Sequence, residues 1–526
     1  MHTGYELVWL AAERTPDNLA IVDDQSKRRL TYRQMIFEIE AVAAGLSEAG
    51  VGPGTRVAVV LPSNFECCIL VLALMRLNAV PAMLNYRLKS EELTSLCVES
   101  EVEAAVILPD EGLIKFLLSE LPVGVPIWSI QDSVIGAKPF SECRAEIRKL
   151  KSYEKPDEQD IAFLFFTSGT TGLPKAVVLN HRTTEHRLLW LSTQAGLRHG
   201  IHNRSLGCMP ISHAIGFYGV FLVSLAFNGT YFVVSEFDPN KIIKIIEREQ
   251  LTFVFCVPTM FQAMIDCSNY HPTKFSSLQL ILYGGLSIDP VLLKRIDDEW
   301  GGVVRHIYGT TETMCSLYNP DPVGQHATLR PGYYSRVRLI KVGGESPNDL
   351  VEVGGEGELI VDANIDTIFS EYFRRPKATA EKLQNGWYHT GDIFQKEVNG
   401  DYTLVGRVDD MIRSGGESIH PEEVEKTIAQ HSAVLDVSVI GIVDPKWGQM
   451  VTACVICRFS KKLSDLVFEF DDFLKASSLA PFKRPKAYLF LDELPRNAAN
   501  KVSRHALRDK ASKARTKGET DFYSVE

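Results

Sequence analysis

The sequence lacks the features of a membrane or secreted protein. No uncharged apolar run among its 526 residues reaches the roughly 18 residues that a transmembrane helix needs. The longest apolar stretch, residues 65–80, contains Glu66 and Arg76, so we predict a buried helix there. The start of the chain shows no basic region followed by an apolar segment, and no secretory signal is visible. We therefore expect a cytoplasmic protein without a membrane partner.

Clustered cysteines and an excess of basic charge are also missing. The ten cysteines are scattered along the chain, which is typical of reduced thiols in a protein that is not exported. Cys454 and Cys457 have the spacing of a redox or zinc pair, but they lie in a strand-like run with no second pair nearby. The net charge of −10 argues against a nucleic-acid partner.

The composition and the order of apolar segments predict an α/β protein of two or more domains. The chain is 45% hydrophobic and 23% charged, which is ordinary for a globular protein, and it is too long for one core. Strand-like and helix-like segments alternate through about residue 310, which predicts parallel sheets covered by helices. From about residue 330, short alternating segments with glycine turns predict a small β-rich subdomain. Past Gly406, a predicted helix over 421–431, strands over 434–443, 451–458 and 486–491, and a helix over 468–478 indicate a small α+β domain.

One glycine-, serine- and threonine-rich stretch, Thr167–Lys175, follows the strand-like run Ile161–Phe166. Small residues after a strand allow backbone N–H groups to close on a polyphosphate, and Lys175 would supply countercharge. Pro174 directly precedes Lys175, which disfavours a Walker loop. A mobile linker is the alternative interpretation of this composition. The candidate phosphate-binding residues are Thr167, Ser168, Gly169, Thr170, Thr171, Gly172 and Lys175.

Two further motifs end predicted neighbouring strands. Tyr308-Gly309-Thr310-Thr311-Glu312 follows the predicted strand Val303–Ile307, at the edge where α/β proteins bind ligands. A tyrosine can stack on adenine, a threonine hydroxyl can bind a phosphate, and a glutamate can hold Mg²⁺. Gly284 and Gly285 end the preceding predicted strand, where they would let a flat ring approach the backbone. A plain turn is the alternative for each motif.

Three charged residues complete the set of candidates from the second half of the chain. Asp392 ends the stretch Trp387–Asp392, and its carboxylate suits the paired hydroxyls of a ribose. Arg407 suits a ribose or a phosphate, and Lys501 provides a further cation near the C-terminus. Each of these residues taken alone is equally typical of a solvated turn or of surface charge.

Together, these motifs resemble the adenylate-forming superfamily in their order and spacing, and the resemblance runs from about residue 5 to residue 510. It implies a large N-terminal domain with two sheets of αβαβα type and a β-rich subdomain (1–408), followed by a mobile C-terminal domain (409–526). It also implies Mg²⁺- and ATP-dependent adenylation of a carboxylate. By this resemblance, Thr167–Lys175 would bind the β- and γ-phosphates of ATP, Tyr308 and Gly284–Gly285 its adenine, and Asp392 its ribose. Thr311 would bind the α-phosphate, Glu312 would bind Mg²⁺, and Lys501 would bind the carboxylate and the α-phosphate. Asp409 would be the hinge.

Four segments resemble the bacterial 4-chlorobenzoate–CoA ligases within this superfamily: Leu84–Ser90, Ser192–Gly200, Tyr308–Leu317 and Ala480–Lys486. The resemblance implies an aryl-CoA ligase that uses coenzyme A and forms a homodimer. Residues 481–517 hold 11 Lys/Arg against 3 Asp/Glu, and such a basic run would attract the phosphates of CoA, although a solvated basic helix is the alternative. The implied CoA residues are Arg87 and Arg484 for the nucleotide phosphate, Trp447 and Phe482 for its adenine, and Gly415 and Gly416 for the pantetheine arm.

The resemblance also outlines an acid pocket without formal charge. His213, in the segment Met209–Phe217, would lie beside the ring and carboxylate of the acid, although a structural histidine is the alternative. A planar aromatic acid suits such a slot, because a second charge would be buried unpaired. Trp190 replaces the usual phenylalanine and Cys315 the usual asparagine, so benzoate, halobenzoates and alkyl-substituted aryl acids all remain open. The other implied pocket residues are Ala214, Ile215, Phe255, Gly284, Ile307, Gly309 and Met314.

Other functions remain open from the sequence. The acyl group of the adenylate could pass to an amine or to a carrier-protein thiol, and the acid could be a non-aromatic hydrophobic one. A non-catalytic nucleotide-binding protein of the same fold is disfavoured by the candidate residues Lys175, Glu312, Asp392, Arg407 and Lys501. The predicted catalytic residues are Thr167, His213, Glu312 and Lys501.

Overall fold

A computed structural model describes residues 2–130, 134–167, 174–200, 202–285, 288–324, 328–344, 346–458, 463–477, 479–496 and 501–525. The described residues fall into two units by their contacts. The first unit lies within Met1–Thr167, Leu173–Val337 and Val361–Tyr388, and the second within Arg338–Ile360 and His389–Glu526.

A seven-stranded sheet forms one layer of the first unit. Its strands are parallel except for the last pair, Ile161–Thr167 and Lys175–Asn180, which flank the predicted phosphate loop and run antiparallel. The strand order is Lys138–Pro139, Ile127–Ser129, Ala104–Ile107, Arg56–Val60, Val80–Met83, Ile161–Thr167 and Lys175–Asn180.

A second sheet of the first unit carries most of the predicted site. Its central strands are parallel, so their carboxyl ends lie at one edge. Antiparallel pairing adds the strands at both ends. The strand order is Thr328–Pro331, Leu317–Asn319, Val303–Tyr308, Leu280–Gly284, Phe253–Cys256, Arg204–Gly207, Thr230–Val233, Leu19–Asp23 and Arg28–Thr31.

Helices connect and cover these strands, and their ends follow local capping rules. Thr3 and Thr31 form capping boxes, and Asp238 and Asp289 cap helices that begin with proline. The helices of the first unit are Gly4–Arg14, Tyr32–Glu48, Phe65–Arg76, Ser90–Glu99, Glu111–Glu120, His181–Trp190, Ala214–Gly216, Val223–Ala226, Pro239–Glu249, Pro258–Ile265, Pro290–Glu299 and Pro376–Lys382, with π-helical turns Leu191–Ala195 and Phe217–Leu222 and 3₁₀ turns Phe140–Glu142, Ile147–Lys149 and Pro272–Phe275.

The second unit has apolar clusters of its own, to which its strands and its helices both contribute. A long hairpin, Val434–Asp444 with Gly448–Cys457, forms its centre. The remaining strands are Glu417–Ile419, Ile412–Ser414, Ala487–Phe490 and Phe522–Ser524, and the helices are Pro421–Ile428, Leu463–Ala476 and Arg504–Lys517, with 3₁₀ turns Val408–Asp410 and Pro481–Lys483. Strands Val337–Ile340, Glu356–Asp362 and Trp387–Lys396 cross the unit boundaries, whereas Tyr402–Arg407 lies in the second unit and Leu383–Gln384 in the first.

The predicted α/β class with a smaller C-terminal part is confirmed. Two predicted helix bounds are wrong. The helix placed at 468–478 begins at Leu463, because Leu463, Leu466, Val467 and Phe470 extend its apolar face toward the N-terminus. The helix placed at 421–431 ends at Ile428. Along the described chain, every helix is too short or too polar to cross a bilayer.

Candidate active site

The strand Val303–Tyr308 ends in a tight loop that carries Thr311 and Glu312. Gly309 is required at the first turn, because a Cβ there would lie 1.4 Å from the carbonyl oxygen of Met314. Met314 has a φ of 62°, which is unusual for a residue other than glycine. The Met314 N–H donates to the Thr310 carbonyl at 2.8 Å and closes the turn. The loop is therefore sharply bent, and other parts of the protein must hold it.

Glu312 lies buried at the centre of this loop. Its Oε1 accepts a hydrogen bond from the Tyr372 hydroxyl at 2.7 Å. The Lys175 ammonium lies 5.2 Å from the centre of the Tyr372 ring. The structure thus brings the predicted residues Lys175 and Glu312 to one tyrosine that the motifs did not single out. Of the predicted phosphate-binding residues, Ser168, Gly169, Thr170, Thr171 and Gly172 lie outside the described residues.

The donor set suits Mg²⁺ that arrives with a nucleotide. The described residues contain no group of three or more His, Cys, Asp or Glu side chains that could hold a metal ion by themselves. Mg²⁺ is commonly held by one or two carboxylates together with substrate phosphates. The buried carboxylate of Glu312 beside the Lys175 ammonium fits that arrangement.

A glycine platform lies on the strand next to this loop. Gly284 pairs with Ile307, and a Cβ on Gly284 would lie 2.7 Å from the Ile307 carbonyl oxygen. Gly285 has a φ of 81°, and a Cβ there would meet nothing within 4 Å. Among the described residues, the space beside Gly285 is therefore open, as a planar ring requires. Behind it, Tyr283 stacks on His306 with ring centres 4.4 Å apart.

Several predicted acid-pocket residues meet at the same strand ends. A Cβ on Gly284 would lie 3.6 Å from the Phe255 ring, and one on Gly219 would lie 2.8 Å from Ile215 and 3.7 Å from Met314. Burial raises the pKa of the Cys315 thiol well above its ordinary value, so the thiol stays neutral. Trp190 and Ala214 are buried in their helices, and His213 lies half-buried directly before helix Ala214–Gly216.

In the second unit, Asp392, Arg407 and Lys501 lie together. Asp392 pairs with Arg407 across neighbouring strands, and the Arg407 Nε lies 3.1 Å from the Asp392 carboxylate. Burial lowers the pKa of Lys501, the nearby Arg407 charge lowers it further, and Asp392 raises it. The three predicted residues therefore form one cluster of two cations and one carboxylate.

A second cluster in this unit surrounds Trp447. A Cβ on Gly415 would lie 3.2 Å from the indole ring, and the Gly415 N–H donates to the Trp447 carbonyl at 2.8 Å. The Lys446 and Lys486 ammonium groups lie 5.0 Å and 4.6 Å from the ring centre. Lys486 also donates to the Phe482 carbonyl at 3.4 Å. The cluster offers aromatic surface and positive charge together.

The remaining predicted CoA residues are placed as follows. Gly416 has a φ of 91° and an open space where a Cβ would lie. Phe482 is 40% exposed. The Nε of Arg484 is buried and has no hydrogen-bond partner among the described residues. Arg87 belongs to the first unit, where its guanidinium lies 5.1 Å from the Tyr86 ring centre.

The sequence matches two family models. The one described as AMP-binding enzyme covers residues 8–373, and the AMP-binding enzyme C-terminal domain covers residues 423–501. The chain belongs to the AMP-binding enzyme family. The resemblance to adenylate-forming enzymes that the motifs indicated is thereby confirmed.

Members of the AMP-binding enzyme family resemble the chain over nearly its whole length. A 4-chlorobenzoate–CoA ligase from Arthrobacter sp. is 43% identical over 510 residues, which are 97% of this chain and 95% of the relative. A 4-chlorobenzoate–CoA ligase from Pseudomonas sp. (strain CBS-3) is 38% identical, over 96% of this chain and 94% of the relative. The solved structure of o-succinylbenzoate CoA synthetase from Bacillus subtilis, in complex with an acyl-adenylate, has a TM-score of 0.82 at 24% identity and covers 97% of this chain and 98% of that one.

Three residues of this AMP-binding enzyme were missed by the sequence analysis. Arg187 binds the main chain of the Thr311–Glu312 loop, Tyr372 binds the Glu312 carboxylate, and Arg504 binds carboxylates beside the predicted hinge. Tyr372 and Arg187 lie outside every motif that the sequence analysis used. No signal in the sequence marked Arg187, because its helix, His181–Trp190, contains several other charged and polar residues.

Proposed function

We propose that this chain is an ATP-dependent ligase that adenylates an aromatic carboxylate and transfers the acyl group to coenzyme A. The observation that carries the proposal is the loop after strand Val303–Tyr308. Ile307 and Met314 flank the loop on the side of the uncharged pocket residues, and Thr311 and Glu312 lie between them. One short loop would therefore contact both the acid and the phosphates of ATP.

An aromatic acid fits the chemistry of the pocket residues. Phe255, Ile307 and Met314 are buried and apolar, and the Cys315 thiol is neutral. A planar ring between such walls loses little solvation, whereas a second charge would be buried without a partner. The two relatives with the highest identities reported above are named for 4-chlorobenzoate, which supports a substituted benzoate here.

In the first step, a carboxylate oxygen of the acid bonds to the α-phosphorus of ATP. The bond from that phosphorus to the bridging oxygen breaks, and pyrophosphate leaves. The two anions repel each other, so positive charge and fixed geometry supply much of the acceleration. Thr311 would donate to the α-phosphate, Lys501 would bridge both anions, and Asp392 would accept from the ribose hydroxyls. Mg²⁺ held by Glu312 would neutralise phosphate charge when bound.

In the second step, the CoA thiol loses its proton and its sulfur bonds to the acyl carbon. The bond between that carbon and the phosphate oxygen of AMP breaks, which gives aryl-CoA and AMP. Trp447, Lys446 and Lys486 would provide an aromatic face and positive charge for the CoA nucleotide. Gly415 packs against Trp447, and the open space beside Gly416 would take the arm of CoA. A rotation about Asp409 between the two steps stays a prediction, as do the boundary after residue 408, the homodimer and the cytoplasmic location.

The test is pyrophosphate release with Mg²⁺ and ATP against a panel of acids, each with and without CoA. The panel contains benzoate, 4-chlorobenzoate, 4-methylbenzoate, cyclohexane carboxylate and medium-chain fatty acids. We expect strong turnover on one substituted benzoate, and acyl-CoA as the product when CoA is present. Turnover confined to fatty acids would contradict the aromatic pocket. An adenylate that accumulates and ignores CoA would assign the acyl group to an amine or a carrier-protein thiol.

A further inference from the structure

Arg187 is a fully buried charged residue beneath the Thr311–Glu312 loop. It lies in helix His181–Trp190, and none of its surface is exposed. Its Nη1 donates to the Thr311 carbonyl at 3.0 Å and its Nη2 to the Glu312 carbonyl at 3.0 Å. Its Nε donates to the Thr367 carbonyl at 2.9 Å. One guanidinium thus uses all three of its nitrogens to hold two separate segments of main chain.

The partners of Arg187 are neutral carbonyl oxygens, so burial of its charge has a high free-energy cost. Burial lowers the pKa of Arg187 to about 10, so the group still carries its charge at neutral pH. Its guanidinium carbon also lies 5.5 Å from the centre of the Tyr218 ring, a cation–π distance. A buried cation without a carboxylate partner contributes little to stability compared with an apolar side chain. Its position beneath this particular loop points to a role in the site.

The second segment that Arg187 holds continues toward the phosphate loop. The Phe369 N–H donates to the Glu312 carbonyl at 2.7 Å, so that carbonyl accepts from both Phe369 and Arg187. Farther along, the Val178 carbonyl accepts from Ser370, and the Ala176 carbonyl accepts from Phe373. Strand Lys175–Asn180 follows the phosphate loop directly. Arg187 therefore ties the loop of Thr311 and Glu312 to the main chain that carries Lys175.

We propose that Arg187 is a positioning residue that sets the distance between the Thr311–Glu312 loop and Lys175 for binding of Mg²⁺ and the phosphates of ATP. The proposal deepens the proposed function and rests on its nucleotide site. Arg187 acts through main-chain atoms, because its nitrogens all point to carbonyl oxygens. The side chains of Thr311 and Glu312 then take fixed directions toward the substrate.

Arginine suits this position and lysine does not. A guanidinium offers donors that diverge in one plane, so it reaches carbonyls on two segments at once. A lysine ammonium is a compact point charge on a longer flexible stem and would hold one of the segments. The loop also needs such support, since Met314 has a φ of 62° and Gly309 approaches Met314 closely. Without the clamp, the bent loop would relax away from its geometry.

The experiment measures binding of α,β-methylene-ATP, which cannot transfer its adenylyl group because a methylene replaces the bridging oxygen, by calorimetry in the presence of Mg²⁺. Arg187→Lys should weaken this binding roughly tenfold to a hundredfold, because small displacements of positioning groups have effects of that size. The Mg²⁺ concentration that gives half-maximal binding should rise as well. Binding of benzoate alone, followed by tryptophan fluorescence, should change less than threefold. The binding of α,β-methylene-ATP and its Mg²⁺ dependence require no knowledge of the true acid, so these two readouts remain valid if the proposed aryl substrate is wrong.

Arg204→Lys is the matched control in the same unit. Arg204 also donates to a carbonyl, that of Glu249 at 2.6 Å, and its guanidinium lies 4.8 Å from the Phe232 ring centre. The Arg204→Lys variant measures how much the exchange of a partly buried arginine for lysine changes stability and nucleotide binding in general. If both variants lower the thermal unfolding midpoint and neither weakens α,β-methylene-ATP binding, Arg187 is structural and the proposal is wrong. Arg187→Met should weaken binding at least as much as Arg187→Lys, and a smaller effect would also contradict the proposal.

Discussion

Each unit of this protein holds one proposed active-site segment with an arginine, and the two arginines have opposite surroundings. In the first unit, Arg187 is fully buried, binds neutral carbonyls, and has a pKa lowered to about 10. In the second unit, Arg504 lies two residues beyond Val502 and binds the carboxylates of Asp410, Glu422 and Glu425 at 2.8–2.9 Å. Although burial lowers the pKa of Arg504, those carboxylates outweigh it and raise the pKa above its ordinary value.

The difference indicates what each segment must do. The hydrogen bonds from Arg187 to neutral carbonyls are insensitive to salt and to acid, and they suit a loop that keeps one geometry. A clamp made of charge pairs ties the segment that carries Lys501 to Asp410, beside the predicted hinge at Asp409. The lysine segment and the hinge turn would then move as one body. Four predictions test this comparison.

The largest effect is expected from Lys501→Ala. Adenylate formation should fall by at least about a thousandfold, because the charge that would bridge carboxylate and α-phosphate is lost. Thioester formation from a supplied adenylate should stay within about threefold, since that step no longer joins two anions. The two half-reactions are measured separately, by pyrophosphate release and by acyl-CoA formation. Equal losses in both steps would contradict the role proposed for Lys501.

Arg504→Met should have the next largest effect. Asp410, Glu422 and Glu425 would face one another without the central cation, which costs roughly 2–3 kcal/mol for partly exposed groups. Adenylation should fall about tenfold to a hundredfold as the Lys501 segment loosens. Arg515→Met is the control on the same helix, because Arg515 binds Asp444 at 2.7 Å and the Val443 carbonyl. If both variants slow adenylation equally, Arg504 has no special tie to Lys501.

The motifs predicted more of the nucleotide site than of the arginine contacts, those of Arg187 and Arg504, that hold its segments. Residue types such as a glycine pair, a Thr-Glu loop or an isolated lysine indicate chemistry by themselves, and the structure brings Gly284, Glu312 and Lys175 to neighbouring strand ends and segments. The partners of Arg187 are main-chain carbonyls, which every residue has, so no residue pattern marks them. Contacts between residues 124 and 180 positions apart, such as those of Arg187, depend on the folded chain.

The basic run 481–517 also shows that a residue pattern does not reveal contacts between distant parts of the chain. Its charge was interpreted as attraction for CoA or as a solvated helix, yet Arg504 and Arg515 in this run are bound to carboxylates of the protein. Lys486 beside Trp447 fits the CoA interpretation better, because burial and the Lys446 charge lower the pKa of Lys486. Net charge along a sequence cannot distinguish these cases, since the compensating carboxylates are distant in the chain.

A smaller effect is expected from Tyr372→Phe in the first unit. The change removes the hydroxyl that donates to Glu312 and keeps the ring beside Phe369 and Lys175. The Mg²⁺ concentration for half-maximal adenylation should rise about threefold to tenfold, because one hydrogen bond to a charged group is lost. Tyr270→Phe is the control, since the Tyr270 hydroxyl donates to Glu299 away from the strand ends of the site. An unchanged Mg²⁺ requirement would show that Glu312 needs no support from Tyr372.

The smallest effect concerns stability and pH. The first unit keeps His306 uncharged: burial lowers its pKa to about 4, and its Nδ1 has no hydrogen-bond partner among the described residues. An unfolded histidine has a pKa of about 6.5, so below that pH the unfolded chain binds a proton that the folded chain does not. Stability should therefore fall as the pH drops from about 6.5 to 4, by roughly 1–2 kcal/mol from this residue at pH 5.

His306→Phe removes that contribution while it keeps a ring stacked on Tyr283. The difference between the free energies of unfolding at pH 7 and pH 5, measured by urea titration, should shrink by roughly 1–2 kcal/mol. His181, whose pKa is also lowered by burial to about 4, retains its own part of the dependence. An identical pH dependence in His306→Phe and the parent protein would contradict the prediction that His306 stays uncharged in the folded first unit.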